Sequence, residues 1–235
     1  MQSPIALSTR DASPRAELQP LELLSFEIDP TEVTVRNDGH TVIYTFQWPN
    51  GQSIVARGGP LEGEFQLDSI HFHWGAASGR GAEHVIDERR REMEVHMVFY
   101  SRKYESFQQA KTQTDGLAVL AFIFTTSASA PKYGWIPALN EVQQAGASYT
   151  LPNPSVFNIQ QLIGTSRRPY FCYRGSLTVA PYHETVNWVV HERELLISED
   201  QLDMFRSLRA ADGTFLRENH RPLQTSNDRT VFYYR

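Results

Sequence analysis

Residues Met93 to Phe99 alternate without a break: Met93, Val95, Met97 and Phe99 are apolar, and Glu94, His96 and Val98 fall between them. A period of two belongs to a β-strand, whose successive side chains point to opposite faces. A helix of period 3.6 would scatter the same apolar set around its axis. The chain is therefore held to a sheet here, with a continuous apolar face and a second face that carries an acid and an imidazole.

Related segments recur along the sequence. Thr31 to Val35 and Thr41 to Phe46 are β-branched and aromatic, and Asn37-Asp38-Gly39 between them predicts a hairpin turn. Gly58-Gly59-Pro60 interrupts the chain before another extended stretch, Glu64 to Trp74. Leu117 to Phe124 is a continuous apolar run of strand length, expected to be buried on both faces. Asn187 to His191 and Thr230 to Tyr234 read as further strands. Helical signals are few. Ser198 with Gln201 makes a capping box, and Leu202, Phe205 and Leu208 keep helical spacing until Asp212-Gly213 stops it. A second helix is predicted over Val156 to Ile163. The sum is a mainly β (α+β) fold with short peripheral helices.

With 235 residues, the chain can bury a substantial core in one domain and has little room for two. A net charge of −5 and a pI near 5.9 argue against nucleic acid or an anionic membrane surface as a partner. Arg89-Arg90-Arg91 is bracketed by Glu88 and Glu92 and reads as a solvated turn. Nothing resembles a run of about 18 apolar residues, so no transmembrane helix is expected. Met1-Gln2-Ser3-Pro4 gives no expectation of a signal peptide. Cys172 is the only cysteine, so no intrachain disulfide can form, which fits a reducing, cytoplasmic location.

His71 and His73 flank Phe72 in an extended stretch, so their imidazoles share one face. His96 lies opposite the apolar face of its own strand. If the two strands pair, three neutral nitrogens converge on one point, and catalytic zinc takes three protein ligands while keeping a fourth place for water. The same pattern also arises from half-exposed strand histidines that bind nothing. A cupin-type iron or manganese site also starts from H-x-H, but its glutamate ligand follows closely, whereas the next acid here is Glu83. Glu94 shares the His96 face, where a carboxylate can orient an imidazole. Glu83, His84 and Asp87 make a polar cluster between the two stretches. Acids buried there need partners; a solvated loop is the other reading.

An ordered series of motifs spans nearly the whole chain. It comprises Gln2-Ser3-Pro4-Ile5, Asn37-Asp38-Gly39-His40, Gly58-Gly59-Pro60-Leu61 and His71-Phe72-His73-Trp74-Gly75. Glu83-His84-Val85-Ile86-Asp87, Glu94-Val95-His96, Tyr173-Arg174-Gly175-Ser176-Leu177-Thr178 and Asn219-His220-Arg221-Pro222-Leu223-Gln224 follow. The series resembles the alpha-type carbonic anhydrase family. The resemblance implies a large, twisted, mostly antiparallel central sheet with short peripheral helices and a conical cavity ending at Zn2+. It implies one domain over residues 1–235, apparently lacking the segment the family usually carries before its Gln-Ser-Pro motif.

Carried over residue by residue, the resemblance makes His71, His73 and His96 the zinc ligands. Thr178 would accept a hydrogen bond from the attacking hydroxide, and Glu83 would take the Thr178 hydroxyl proton, which aims a lone pair at the substrate. His40 matches the proton-shuttling histidine, a task suited to imidazole near neutrality. Val98, Val119, Leu177, Val186 and Trp188 match the apolar wall where carbon dioxide rests. Glu94, Ser69 and Asn219 fall where the ligand histidines are supported from behind. Ser69 replaces the usual glutamine, and its shorter hydroxyl is expected to hold the first imidazole less firmly. Val179 stands for a residue that hydrogen-bonds cavity water, which predicts slower proton transfer. Tyr182 occupies a place where secreted relatives often carry a cysteine. The implied activity is reversible hydration of carbon dioxide to bicarbonate and a proton by a monomer, with no nucleic acid or membrane partner. A catalytically silent binding domain on the same fold is the alternative.

Overall fold

The computed structural model describes residues 1–15 and 19–235. Its strands, in chain order, begin with β1 Ala6–Leu7, β2 Ser13–Pro14, β3 Glu22–Leu24, β4 Glu32–Asn37 and β5 Val42–Gln47. They continue with β6 Val55–Gly58, β7 Leu61–Trp74, β8 Val85–Ile86, β9 Met93–Ser101 and β10 Leu117–Thr126. β11 Ser148–Thr150, β12 Tyr170–Gly175, β13 Val186–His191, β14 Leu195–Ile197 and β15 Phe232–Tyr234 complete the set. Three short α-helices lie outside the sheet: α1 Phe107–Ala110, α2 Ile159–Ile163 and α3 Glu199–Arg206.

One large sheet runs in the order β11-β4-β5-β7-β9-β10-β13-β12-β15-β2. Along that path only β10–β13 and β15–β2 are parallel, so the predicted mostly antiparallel sheet is what forms. β7 is 14 residues long and pairs with β9, whose alternating sequence fixes its register. One face holds Met93, Val95, Met97 and Phe99 in a core with Phe72, Trp74, Trp135 and Phe205. The other face holds Val98 in a second cluster with Val119, Val186 and Trp188. Leu117 to Phe124 is buried throughout between these two layers, as its unbroken apolar run requires.

The β4–β5 hairpin turns at the predicted Asn37-Asp38-Gly39. Gly39 has φ +88°, and a Cβ there would come within 3.0 Å of the Ala211 Cβ, so the turn needs glycine. Asp38 Oδ1 accepts from the backbone N–H groups of His40 and Thr41, each at 2.8 Å, which fixes the loop bearing His40.

Several boundaries differ from expectation, β7 beginning at Leu61 rather than Glu64 among them. The capping box starts α3 as predicted, but the helix ends at Arg206 with Ser207 as its cap, short of Asp212-Gly213. Leu208 instead pairs back on the chain, its carbonyl accepting from Leu216 N at 2.7 Å, so helical spacing continued in sequence beyond the helix itself. The helix predicted over Val156 to Ile163 is split: a 3₁₀ turn at Pro154–Val156 precedes α2, which starts only after Asn158 accepts from Gln161 N at 2.7 Å. Phe157 lies between them with non-helical backbone, buried against Tyr44, Phe46 and Trp135, so packing overrode local propensity. The last strand begins at Phe232, two residues after Thr230.

Candidate metal centre

Pairing of β7 with β9 sets His71 directly opposite His96, and His73 opposite Glu94. His71, His73 and His96 each bring one ring nitrogen within 4.8 Å of the other two. His71 Nε2 and His96 Nδ1 are 3.3 Å apart, and the His73 and His96 ring centroids 4.6 Å. His73 and His96 are buried and His71 half-buried. Burial disfavours the charged form of each ring. It pushes His73 down to about 4 and lowers His96; His71 falls well below its ordinary value, helped by the two neighbouring histidines. All three are therefore neutral bases at neutral pH, the form a metal requires.

Two of the three rings present one nitrogen to this point because the other nitrogen is fixed. The His96 Nε2–H donates to Glu94 Oε1 at 2.7 Å, which leaves Nδ1 as the free base. His73 Nδ1 lies 3.2 Å from the Asn219 carbonyl, which leaves Nε2. That Nε2 is buried and has no hydrogen-bond partner among the described residues. A buried nitrogen with a free lone pair beside two more of its kind fits a zinc ion, for which three imidazoles are an established donor set.

The surroundings tie this triad to the rest of the fold. Glu94 also accepts from His84, through Nδ1 at 2.7 Å and the backbone N–H at 2.8 Å. Burial alone would raise its pKa, but contacts with His84 and His96 outweigh that and hold it well below the usual carboxylate range. His84 Nε2 continues to Tyr173 Oη at 2.7 Å, and that hydroxyl to Ser3 Oγ at 3.0 Å. His84, Glu94 and His96 also cluster like metal ligands, yet their facing atoms are already hydrogen-bonded to one another. Asn219 additionally accepts from Trp74 N at 2.7 Å and donates to the carbonyls of His40 and Phe72, each at 3.0 Å. Glu83 is fully buried, with Oε1 accepting from Arg221 N at 2.8 Å. Burial raises it to about 7, against His96, which favours its ionised form. Thr178 approaches Glu83 without closing a bond of good geometry to Oε2.

A family model described as eukaryotic-type carbonic anhydrase matches residues 1–235. The chain belongs to that family. It is similar to carbonic anhydrase 1 of Monodelphis domestica, 35% identical over 237 residues, covering 98% of this chain and 87% of the relative. Carbonic anhydrase 7 of Mus musculus is 34% identical over 235 residues, covering 98% of this chain and 87% of its own length. Carbonic anhydrase 7 of Homo sapiens is 38% identical over 209 residues, covering 88% of this chain and 76% of its own. No helix among the described residues is long and apolar enough to cross a membrane.

Within this carbonic anhydrase the residues singled out in the sequence divide into those brought together and those kept apart. Val98, Val119, Val186 and Trp188 form one buried cluster with Leu177 packed on it, and the Trp188 ring lies 4.9 Å from that of His96. Ser69 does not support a ligand: its hydroxyl donates to Asp68 Oδ2 at 2.9 Å, a neighbour too close in sequence to compete with. Asp87 leaves the predicted cluster with Glu83 and His84. It is exposed and accepts from Thr9 N and Oγ1, at 2.8 and 2.9 Å. His40 is exposed on its turn and is not among the residues lining the cavity beside His71.

That cavity, of about 560 Å3, is also lined by Asp68, Lys111 and His183, charged or basic side chains that sequence reasoning missed. A signal existed for the first. Asp68 is in phase with Ile70, Phe72 and Trp74, where strict alternation would bury a lone acid among apolar groups. The strand avoids this with a bulge, the register slipping between Leu67 and Ser69.

Proposed function

We propose that this carbonic anhydrase hydrates carbon dioxide reversibly to bicarbonate and a proton at the point where His71, His73 and His96 converge, with Zn2+ as its cofactor. Zinc, when bound, supplies a Lewis acid that lowers the pKa of water to about 7 and so makes a nucleophile available at neutral pH. The chain supplies everything else. Glu94 and Asn219 fix which nitrogen of His96 and of His73 is free. Glu83 has one oxygen committed to the Arg221 N–H, and its Oε2 remains to accept the Thr178 hydroxyl. Thr178 Oγ1, having donated its proton there, can only accept, so a nucleophile donating to it turns a lone pair toward the substrate. The three histidines are neutral, and a cation bound by them would favour the ionised Glu83 that this polarity needs.

Val98, Val119, Leu177, Val186 and Trp188 suit an apolar gas. The one polar atom among their side chains, Trp188 Nε1, is occupied by the Ser176 carbonyl at 3.0 Å. His40, on an exposed turn, exchanges the product proton with buffer. The same reading makes residues 1–235 one catalytic domain, acting as a cytoplasmic monomer without nucleic acid or membrane partners. Its lone thiol, Cys172, is buried and pushed up to about 11 by burial, which keeps it from reacting.

The unpartnered, buried His73 Nε2 facing His71 and His96 carries this reading. Stopped-flow hydration on protein carrying one zinc per chain tests it. Turnover above background that is lost with zinc in His96→Ala is expected. A fully loaded chain that leaves hydration at background would be a binding domain instead.

A further inference from the structure

Asp68, Lys111 and His183 line the metal-side cavity, and the chemistry above uses none of them. Asp68 reaches it through the β7 bulge. Lys111 follows α1, its carbonyl anchored by the Thr185 hydroxyl at 3.0 Å. His183 belongs to the loop between β12 and β13 that also supplies Leu177 and Thr178. Its carbonyl accepts from Leu177 N at 2.9 Å, which fixes the root of the side chain beside the site. The ring itself makes no hydrogen bond or ion pair with the described residues, and His183 is half-buried. One imidazole thus lines the cavity while partly exposed, and shares that cavity with a proposed zinc ligand. His40 has exposure but does not line that cavity.

We propose that His183 is a second proton-relay residue of the hydration reaction, independent of His40; this rests on the carbon dioxide hydratase reading. The water consumed in hydration gives up one proton, which passes through cavity water to the unprotonated imidazole, and the hydroxide left from it is incorporated into bicarbonate. The imidazolium then releases that proton to a buffer base and returns to its starting form. The same cavity carries one acid, Asp68 of β7, and one further cation, Lys111 beyond α1, with Tyr100 and His71 as its other ionisable side chains. Glu184, next in sequence, is occupied by the Met1 amine and the Gln2 amide.

Hydration by zinc-loaded wild type, His183→Ala, His40→Ala and the double variant in weak buffer tests the proposal. Proton export limits kcat and leaves kcat/KM alone. His183→Ala is expected to lower kcat by roughly tenfold or less, with kcat/KM unchanged and recovery on adding imidazole. The double variant should fall below either single one. His183→Gln, which keeps a polar side chain of similar reach, should match His183→Ala with an unchanged melting temperature. Diethyl pyrocarbonate must also modify the His183 ring, read by mass spectrometry, because a relay needs an imidazole open to solvent. An unchanged kcat in both backgrounds, a parallel loss of kcat/KM, or a ring that resists modification overturns the relay and leaves the hydratase reading standing. Wild-type protein inactive with zinc bound overturns both.

Discussion

Glu94 Oε1 receives the His96 Nε2–H and the His84 Nδ1–H at the same distance, 2.7 Å, and so holds a proposed metal ligand and a structural histidine with one atom. An ionised carboxylate accepts both; an amide oxygen accepts them without charge, and an amide nitrogen cannot accept at all. Glu94→Gln should therefore weaken zinc binding by about 10- to 100-fold, read by competition with a chromogenic chelator. Unchanged affinity would mean that the His96 tautomer is set elsewhere. Ser69 shows the opposite case. Its hydroxyl is close enough to Asp68 to be captured locally, so the half-buried His71 has no such brace.

Two elements meet at the metal-bearing end of β7. α3 packs Phe205 against Phe72 and Trp74, with ring centroids 5.3 and 5.4 Å apart, and Arg206 Nε donates to the Gly75 carbonyl at 2.9 Å. The helix is only 8 residues long and depends on its first turn, where Ser198 and Gln201 cap each other's backbone. Ser198→Ala is expected to cost about 1 kcal/mol in urea unfolding. Zinc content at 25 °C should stay unchanged, because β9 holds β7 independently along the full register from Phe65 to Trp74. A loss of zinc without a loss of stability would show that the helix acts on the site directly.

Across the whole molecule the buried histidines make stability depend on pH. His191 is the clearest, since it lies outside the metal centre, stacked on Phe122 with centroids 4.1 Å apart and Nε2 unpartnered. Burial pushes it down to about 3, with Arg167 adding to the effect. The unfolded ring binds its proton near pH 6.5, so between about pH 6.5 and 3 the unfolded chain holds more protons than the native one. Stability from this group is complete above that window and lost progressively as pH falls through it. At pH 5 the loss should be on the order of 2 kcal/mol relative to pH 7.5. His191→Phe should flatten that part of the unfolding profile. A variant with the same acid slope as wild type would assign the effect to other groups.

Much was legible from residue order alone. Alternation in Met93 to Phe99, the H-x-H pair and the Asn-Asp-Gly turn are local statements, and strand geometry turns each into a face or a reversal of the chain. Two such faces allowed the proposed ligand triad, and the family resemblance singled it out. What local order does not contain is which atoms compete for a given group once strands are stacked. That competition sent the Ser69 hydroxyl to Asp68, took Asp87 to Thr9, broke the helix at Phe157 and aimed Asp68 into a cavity with Lys111 and His183. These partners are remote in sequence or out of phase with their strand, so packing and hydrogen-bond satisfaction decided them, and only the tertiary structure holds that information.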